Sequence, residues 1–141
     1  MSDIFKLCDV IREAGYAIHR YLGPGHFESV YEKALLYRLT KQGLMVSLRF
    51  PVPVFDEDGT LLGDYEADLI VEDHLIIEVK AARDIADAHI AQILGYLRAT
   101  RREHGLLINF GAPKFQIKKY ILDAYPLGGR DHSNPHTETE E

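Results

Sequence analysis

The sequence predicts an α/β fold: a central mixed sheet flanked by helices, in the order ααβββαββ. Three observations carry that expectation. Apolar residues recur at three- and four-residue steps over the first forty or so positions, the period of helices that bury one face, and Asp84 signals a further helix from about 85 to 100. Short β-rich runs bounded by turn residues lie between and after them. One run, Gly105–Phe110 (GLLINF), is almost wholly apolar, as expected of a strand covered on both faces. Helices on both sides of a strand run indicate a layered sheet, not a bundle or a barrel.

Each element has its own signal. Asp3 to Tyr21 reads as an amphipathic helix with Ile4, Leu7, Ile11, Ala14, Ile18 and Tyr21 inward. Gly23-Pro24-Gly25 breaks it. A second helix is expected from about Phe27 to Gln42, with Val30, Tyr31, Ala34, Leu35 and Leu39 inward and Gly43 as its stop. Met45 to Phe55 alternates loosely, and Pro51 and Pro53 make it an edge or bulged strand, because proline cannot donate to a ladder. Asp56-Glu57-Asp58-Gly59 is a hairpin turn signal. Leu62 to Val71 and Leu75 to Ala81 form a second hairpin about Glu72-Asp73-His74. Asp84 is the expected N-cap of a helix from about Ile85 to Thr100, and Phe115 to Leu122 is the last strand. After Tyr125 the composition turns to Gly, Pro, Ser, Thr and Glu, so 1–125 is expected as the folded domain and 126–141 as a disordered acidic tail.

Length and charge bound the function. A chain of 141 residues suits one domain with a real core. The net charge of −6 argues against a protein that coats nucleic acid or an anionic membrane. The charge is uneven, however. No Lys or Arg stands between Arg49 and Lys80, a stretch that holds Asp56, Glu57, Asp58, Asp64, Glu66, Asp68, Glu72, Asp73 and Glu78. Arg98, Arg101, Arg102, Lys114, Lys118 and Lys119 then face a single acid, Glu103. An acid-rich centre beside a basic segment suits a metal ion and a polyanion; solvated faces are the plainer reading. Cys8 is the only cysteine, so no internal disulfide or cysteine zinc site can form. No signal-peptide stretch and no membrane-length apolar run is present, and a soluble cytoplasmic protein without a membrane partner is expected.

The informative segment is Asp68-Leu-Ile-Val-Glu-Asp-His-Leu-Ile-Ile-Glu78-Val79-Lys80. Side chains alternate along a strand, so Glu78 and Lys80 share a face opposite Leu75, Ile77 and Val79. On the preceding strand Tyr65, Ala67, Leu69 and Val71 form one set, and Glu66, Asp68 and Ile70 the other. A two-residue turn would pair Asp68 with Ile77 and split the acids. A three-residue turn, Glu72-Asp73-His74, pairs Val71 with Leu75 and Asp68 with Glu78, and puts the apolar sets on one face. That register is the expectation. Two adjacent carboxylates repel unless a cation sits between them. Oxygen ligands suit a hard ion such as Mg²⁺ or Mn²⁺. A lysine beside them can orient a water or neutralise a phosphate. Together these make a phosphodiester hydrolysis centre; the alternative is a surface ion pair of Glu78 and Lys80.

Asp68 followed by Glu78-Val79-Lys80 resembles the PD-(D/E)XK nuclease superfamily, with Ala67 where the name has proline. Gln92-x-x-x-Tyr96 is similar to the Q-x-x-x-Y motif of its RecB-like and Cas4-like branch, and Gly25-His26-Phe27-Glu28-Ser29-Val30-Tyr31 to the pattern that names the GxxExxY family. The resemblance runs from about Ile4 to Leu122 and includes Leu106-Leu107-Ile108-Asn109-Phe110-Gly111. It implies a restriction-endonuclease-like core. Asp68, Glu78 and the carbonyl of Val79 would hold the metal, with Glu28 joining directly or through water. Lys80 would position or activate the attacking water, and Gln92 and Tyr96 would orient Lys80 or contact the DNA backbone. Gln92 and Tyr96 share a helical face at i and i+4. Arg98, Arg101, Arg102, Lys114, Lys118 and Lys119 are the candidate phosphate contacts.

The resulting expectation is a Mg²⁺- or Mn²⁺-dependent nuclease that hydrolyses nucleic acid, DNA in the first place, through a metal-activated water. The alternative is a nuclease-fold module that does little chemistry and binds nucleic acid or a protein. The small domain leads us to expect a homodimer or a larger protein partner.

Overall fold

The computed structural model describes residues 3–122 and 136–140. Helix α1 (Ile4–Leu22) opens at Asp3, whose carboxylate accepts from the Phe5 N–H at 2.9 Å. Helix α2 (Glu28–Lys41) follows the glycine-proline break. Strands β1 (Val46–Phe55), β2 (Leu61–Val71) and β3 (Leu75–Lys80) form consecutive hairpins. Helix α3 (Asp87–Thr100) crosses over to β4 (His104–Asn109), and β5 (Gln116–Ile121) returns beside it. Strand β6 (His136–Glu140) adds to β5.

The sheet runs β1-β2-β3-β4-β5-β6, parallel at β3–β4 and antiparallel elsewhere. β3–α3–β4 is a crossover unit, which a parallel pair requires. Leu7, Ile11 and Ile18 of α1 and Tyr31, Leu35 and Leu39 of α2 pack on one face against Leu69, Ile77, Val79, Ile108 and Phe110. Ile93 and Leu97 of α3 pack on the other against Ile70, Ile76, Leu107 and Tyr120. β3 and β4 are covered on both faces and are apolar for that reason.

The sequence expectations need four corrections. Tyr21 and Val30, expected inward, are exposed at the rims of their helices. Helix α3 starts at Asp87, not Ile85. Asp84 instead accepts from the Ile85 N–H and from Gln116, fixing the turn before the helix. Of the acidic tail expected over 126–141, residues 136–140 are a strand and the rest lie outside the described residues. β5 would otherwise offer an open edge, and the register sets Glu138 opposite Lys119.

The fourth correction bears on the site. Leu69 and Val71 face α1 and α2, as expected, but Ala67, of the same parity, packs under α3. On β1, Val46 and Leu48 face α1 and α2, while Phe50 and Val52 face α3. Both strands therefore change face at one level. Leu48 pairs with Leu69 and Phe50 with Ala67, so Arg49 and Asp68 stand opposite each other at the switch. Arg49 takes a left-handed φ of 57° there. A strand cannot keep strict alternation through such a residue.

Candidate active site

The site begins where β2 and β3 stop pairing. Their ladder runs from Val71↔Leu75 to Leu69↔Ile77, the expected register. The three-residue turn holds Glu72 and Asp73 at φ 54° and 58°. Two neighbours clamp it: Met45 exchanges hydrogen bonds with Glu72, and Arg102 donates to the Asp73 carbonyl and carboxylate. Beyond Leu69 the side chains replace the ladder. The Asp68 N–H donates to Glu78 Oε2, and the Val79 N–H donates to Asp68 Oδ2, both at 2.8 Å. Each acid is thereby fixed by the other strand's backbone and keeps one oxygen, Asp68 Oδ1 and Glu78 Oε1, outside these bonds.

Helix α2 brings further acids to the same place. Gly25, at φ 114°, needs the freedom of glycine. The buried Tyr31 hydroxyl donates to the Gly23 carbonyl at 2.6 Å and accepts from the His26 N–H at 3.2 Å. Its ring stacks on Phe110 at 4.5 Å. Tyr31 therefore ties the loop before α2 to the end of β4 and fixes where the helix begins. Glu28 is the first helical residue and Glu32 lies one turn on, on the same side. Glu28, Glu32 and Asp68 each place a carboxylate oxygen within 4.8 Å of the others. Glu28 is exposed, whereas Glu32 is buried.

From the opposite face α3 supplies the partners of Lys80. Lys80 Nζ donates to Gln92 Oε1 at 2.7 Å and lies 3.9 Å from Glu78 Oε1. Gln92 Nε2 donates to the Tyr96 oxygen at 3.2 Å. Lysine can only donate, so it fixes the direction of the Gln92 amide and leaves the Tyr96 hydroxyl hydrogen free to point elsewhere. His89, on the same stripe, accepts from the Ala86 N–H and caps the helix instead. Past Lys80, the Asn109 carboxamide oxygen accepts from the Ala82 and Gly111 N–H groups, and its Nδ2 donates to Ala82 and Gln116. That clamp holds the chain where it leaves the site.

The electrostatics are those of crowded acids out of water. Burial first, and the Asp68 charge second, push the Glu78 carboxyl up to about 8. Burial also raises Asp68 and, with Asp68 as neighbour, Glu32, which Arg49 partly offsets. Tyr96 is raised by burial and then by Glu78, so its phenol keeps its proton at neutral pH. This cluster binds protons more tightly than free acids do, because burial outweighs the neighbouring charges of Arg49 and Lys80.

A family model described as the PD-(D/E)XK nuclease superfamily matches residues 6–120. The chain belongs to that superfamily. None of the curated proteins or solved structures gives a match. Asp68, Glu78 and Lys80, the residues that the sequence reading set on the PD-(D/E)XK pattern, lie side by side in the fold. Nucleases of the superfamily generally use divalent metals. The donor set here fits one: carboxylate oxygens from Glu28, Glu32 and Asp68, with Glu78 cross-bonded to Asp68, offer the hard ligands that such ions take.

Around this acid cluster the expected basic residues scatter. Arg102 is committed to Asp73 and the Phe50 ring, and Lys119 is buried over the Phe5 ring. Lys118 and Lys119 are adjacent on β5 and point to opposite faces. Arg101 is the left-handed cap of α3, Arg98 lines a cleft beside Gln92, and Lys114 lines a groove with Tyr16 and His19. These six do not form one surface. Two residues of the site went unread in the sequence, Glu32 and Arg49. Glu32 stands four residues after Glu28 on the stripe of Leu35 and Leu39, and that spacing could have revealed it. Arg49 and Lys80 are the two cations that border the acid-rich stretch, and they also flank the acids in space.

Proposed function

We propose that this protein is a divalent-metal-dependent nuclease, using Mg²⁺ or Mn²⁺ and hydrolysing phosphodiester bonds of nucleic acid, with DNA as the first substrate to test. The observation that carries the reading is the Asp68–Glu78 pair, each acid fixed by the other strand, with Lys80 beside it. A divalent ion bound by Asp68, Glu78 and the α2 acids would polarise a phosphoryl oxygen and acidify a water. In the reaction the oxygen of water joins phosphorus, one P–O ester bond breaks, and the leaving oxygen takes a proton. Lys80, held by Gln92, orients the water and supplies positive charge where the phosphorane develops negative charge. Tyr96 accepts from Gln92, which leaves its hydroxyl hydrogen available to a phosphate oxygen. A cleft of about 520 Å³ lined by Tyr65, Gln92, Gly95 and Tyr96 adjoins it. Its aromatic faces suit nucleobases next to the cleaved bond.

The test is a cleavage assay on single- and double-stranded DNA and RNA with Mg²⁺, Mn²⁺ or chelator. Metal-dependent cleavage that Asp68→Asn, Glu78→Gln and Lys80→Met each abolish is the expected result. Cleavage that survives chelation or these changes would overturn the mechanism. Metal binding with no cleavage of any nucleic acid would replace the reading by a binding module of the same fold.

A further inference from the structure

Arg49 has no place in the PD-(D/E)XK pattern, yet it occupies the centre of the acid cluster. Its Nη2 lies 2.6 Å from Glu32 Oε1 and its Nη1 3.3 Å from Asp68 Oδ1. The two acids are shut away from water, with side chains 4% and 15% exposed, while the Arg49 side chain is 47% exposed. The guanidinium therefore closes the cluster from the solvent side. It reaches that position from a left-handed backbone, φ 57°, a conformation that is strained for a non-glycine residue. That conformation sits where β1 and β2 change face, directly across from Asp68.

The oxygens that Arg49 neutralises belong to the acids best placed to hold a divalent ion. An ion among Glu28, Glu32 and Asp68 would sit roughly 2.0–2.6 Å from its carboxylate oxygens. A guanidinium that stays 2.6 Å and 3.3 Å from carboxylate oxygens of two of those acids would then be pressed against a double positive charge. Both cations cannot keep the position. The acids are anchored by buried backbone, Asp68 by the Val79 N–H and Glu32 by its helix. Arg49 is the half-exposed, flexible member, so it is the group that moves.

We propose that Arg49 is a displaceable internal cation: it neutralises Glu32 and Asp68 while no divalent ion is bound and leaves them when one enters. This rests on the metal-centre reading above. It gives Arg49 a positioning role, since it holds the two acids in place before loading. Once released at the mouth of the site, the planar guanidinium suits a phosphate oxygen pair of the incoming strand.

The test is calorimetric titration of Mn²⁺ into the metal-free protein without nucleic acid. Arg49→Met keeps the length and removes the charge; Arg49→Lys keeps the charge. Removing a competing charge is expected to tighten Mn²⁺ binding by about tenfold in Arg49→Met, with Arg49→Lys within about threefold of the unaltered protein. A metal that replaces the arginine should also raise the melting temperature more in Arg49→Met than in the unaltered chain. Equal or weaker Mn²⁺ binding by a folded Arg49→Met protein, or tightening as large in Arg49→Lys, overturns the proposal and leaves the metal centre standing. Absence of Mn²⁺ binding in all three proteins overturns the metal centre and the proposal together.

Discussion

Strand β3 has two unlike sides. Toward β4 it makes six consecutive parallel pairs, from Leu75↔His104 to Lys80↔Asn109. Toward β2 it makes three, and then the ladder opens and carboxylates take the backbone N–H groups. The closed side is apolar on both faces and holds the strand still. The open side gathers Asp68, Glu78 and Lys80. A site of crowded acids costs stability, so it has to be built against something that does not yield. Here that support is the β3–β4 pair.

The contrast can be broken from either side. The largest effect is expected at the opening. Asp68→Asn, Glu78→Gln or Lys80→Met should each lower nucleic-acid cleavage by roughly 10²–10³-fold or more while circular dichroism stays unchanged. Retained cleavage would mean that the opening is not where the chemistry happens.

On the closed side, Gly111 passes against the chain that leaves β3. A Cβ there would lie 2.4 Å from the Ala81 carbonyl carbon and 2.5 Å from the Ala82 nitrogen, both backbone atoms. Gly111→Ala is expected to cost about 3 kcal/mol in denaturant unfolding, at the upper end for overpacking. A near-neutral result would show the support to be softer than its pairing suggests.

The pH dependence separates the sides again. Glu78 ionises at about 8 in the folded protein against an ordinary 4.5, so the folded state holds its proton more tightly than the unfolded one. Stability of the metal-free protein is therefore full below about 4.5, falls as pH rises toward 8, and levels beyond. Asp68 and Glu32 are raised as well and act in the same direction. The loss should be on the order of a few kcal/mol, read from melting temperatures across this range. Glu78→Gln should flatten the curve, and Mg²⁺ should restore stability at the alkaline end. An unaltered slope in Glu78→Gln would place the cost elsewhere.

Smaller effects refine the picture. Gln92→Ala frees Lys80 and should lower kcat about tenfold with little change in KM, because it acts on orientation. Arg102→Ala releases the β2–β3 turn from an ion pair whose Asp73 is exposed, and should cost less than about 1 kcal/mol. A large loss there would mean that the turn, rather than the β3–β4 pair, sets the position of the acids.

Much of this was legible in the sequence. The three-residue turn followed from Leu69, Val71, Leu75 and Ile77, which share a face only in that register, and it brought Asp68 to Glu78. Helix α2 followed from the period after Gly25, and Glu28 from the resemblance of Gly25–Tyr31 to a family pattern. The face switch at Arg49 and Asp68 was not legible. A left-handed arginine leaves no mark in an alternating pattern, and Tyr65, Ala67, Leu69 and Val71 read as one continuous set. Glu32 was missed because a glutamate in a helix is ordinarily solvated. The six basic residues were grouped by nearness in sequence, while β5 sends neighbours to opposite faces and the β2–β3 turn claims Arg102.

The sequence by itself determined the layered sheet, the β2–β3 register and the meeting of Asp68, Glu78 and Lys80, because these follow from local periodicity and short connections. The tertiary structure alone decided which acids lose their water, that Glu32 joins Glu28 and Asp68, and that Arg49 stands among them. Burial and charge proximity between α2, β1 and β2 depend on how separate elements pack, and no local pattern encodes those distances.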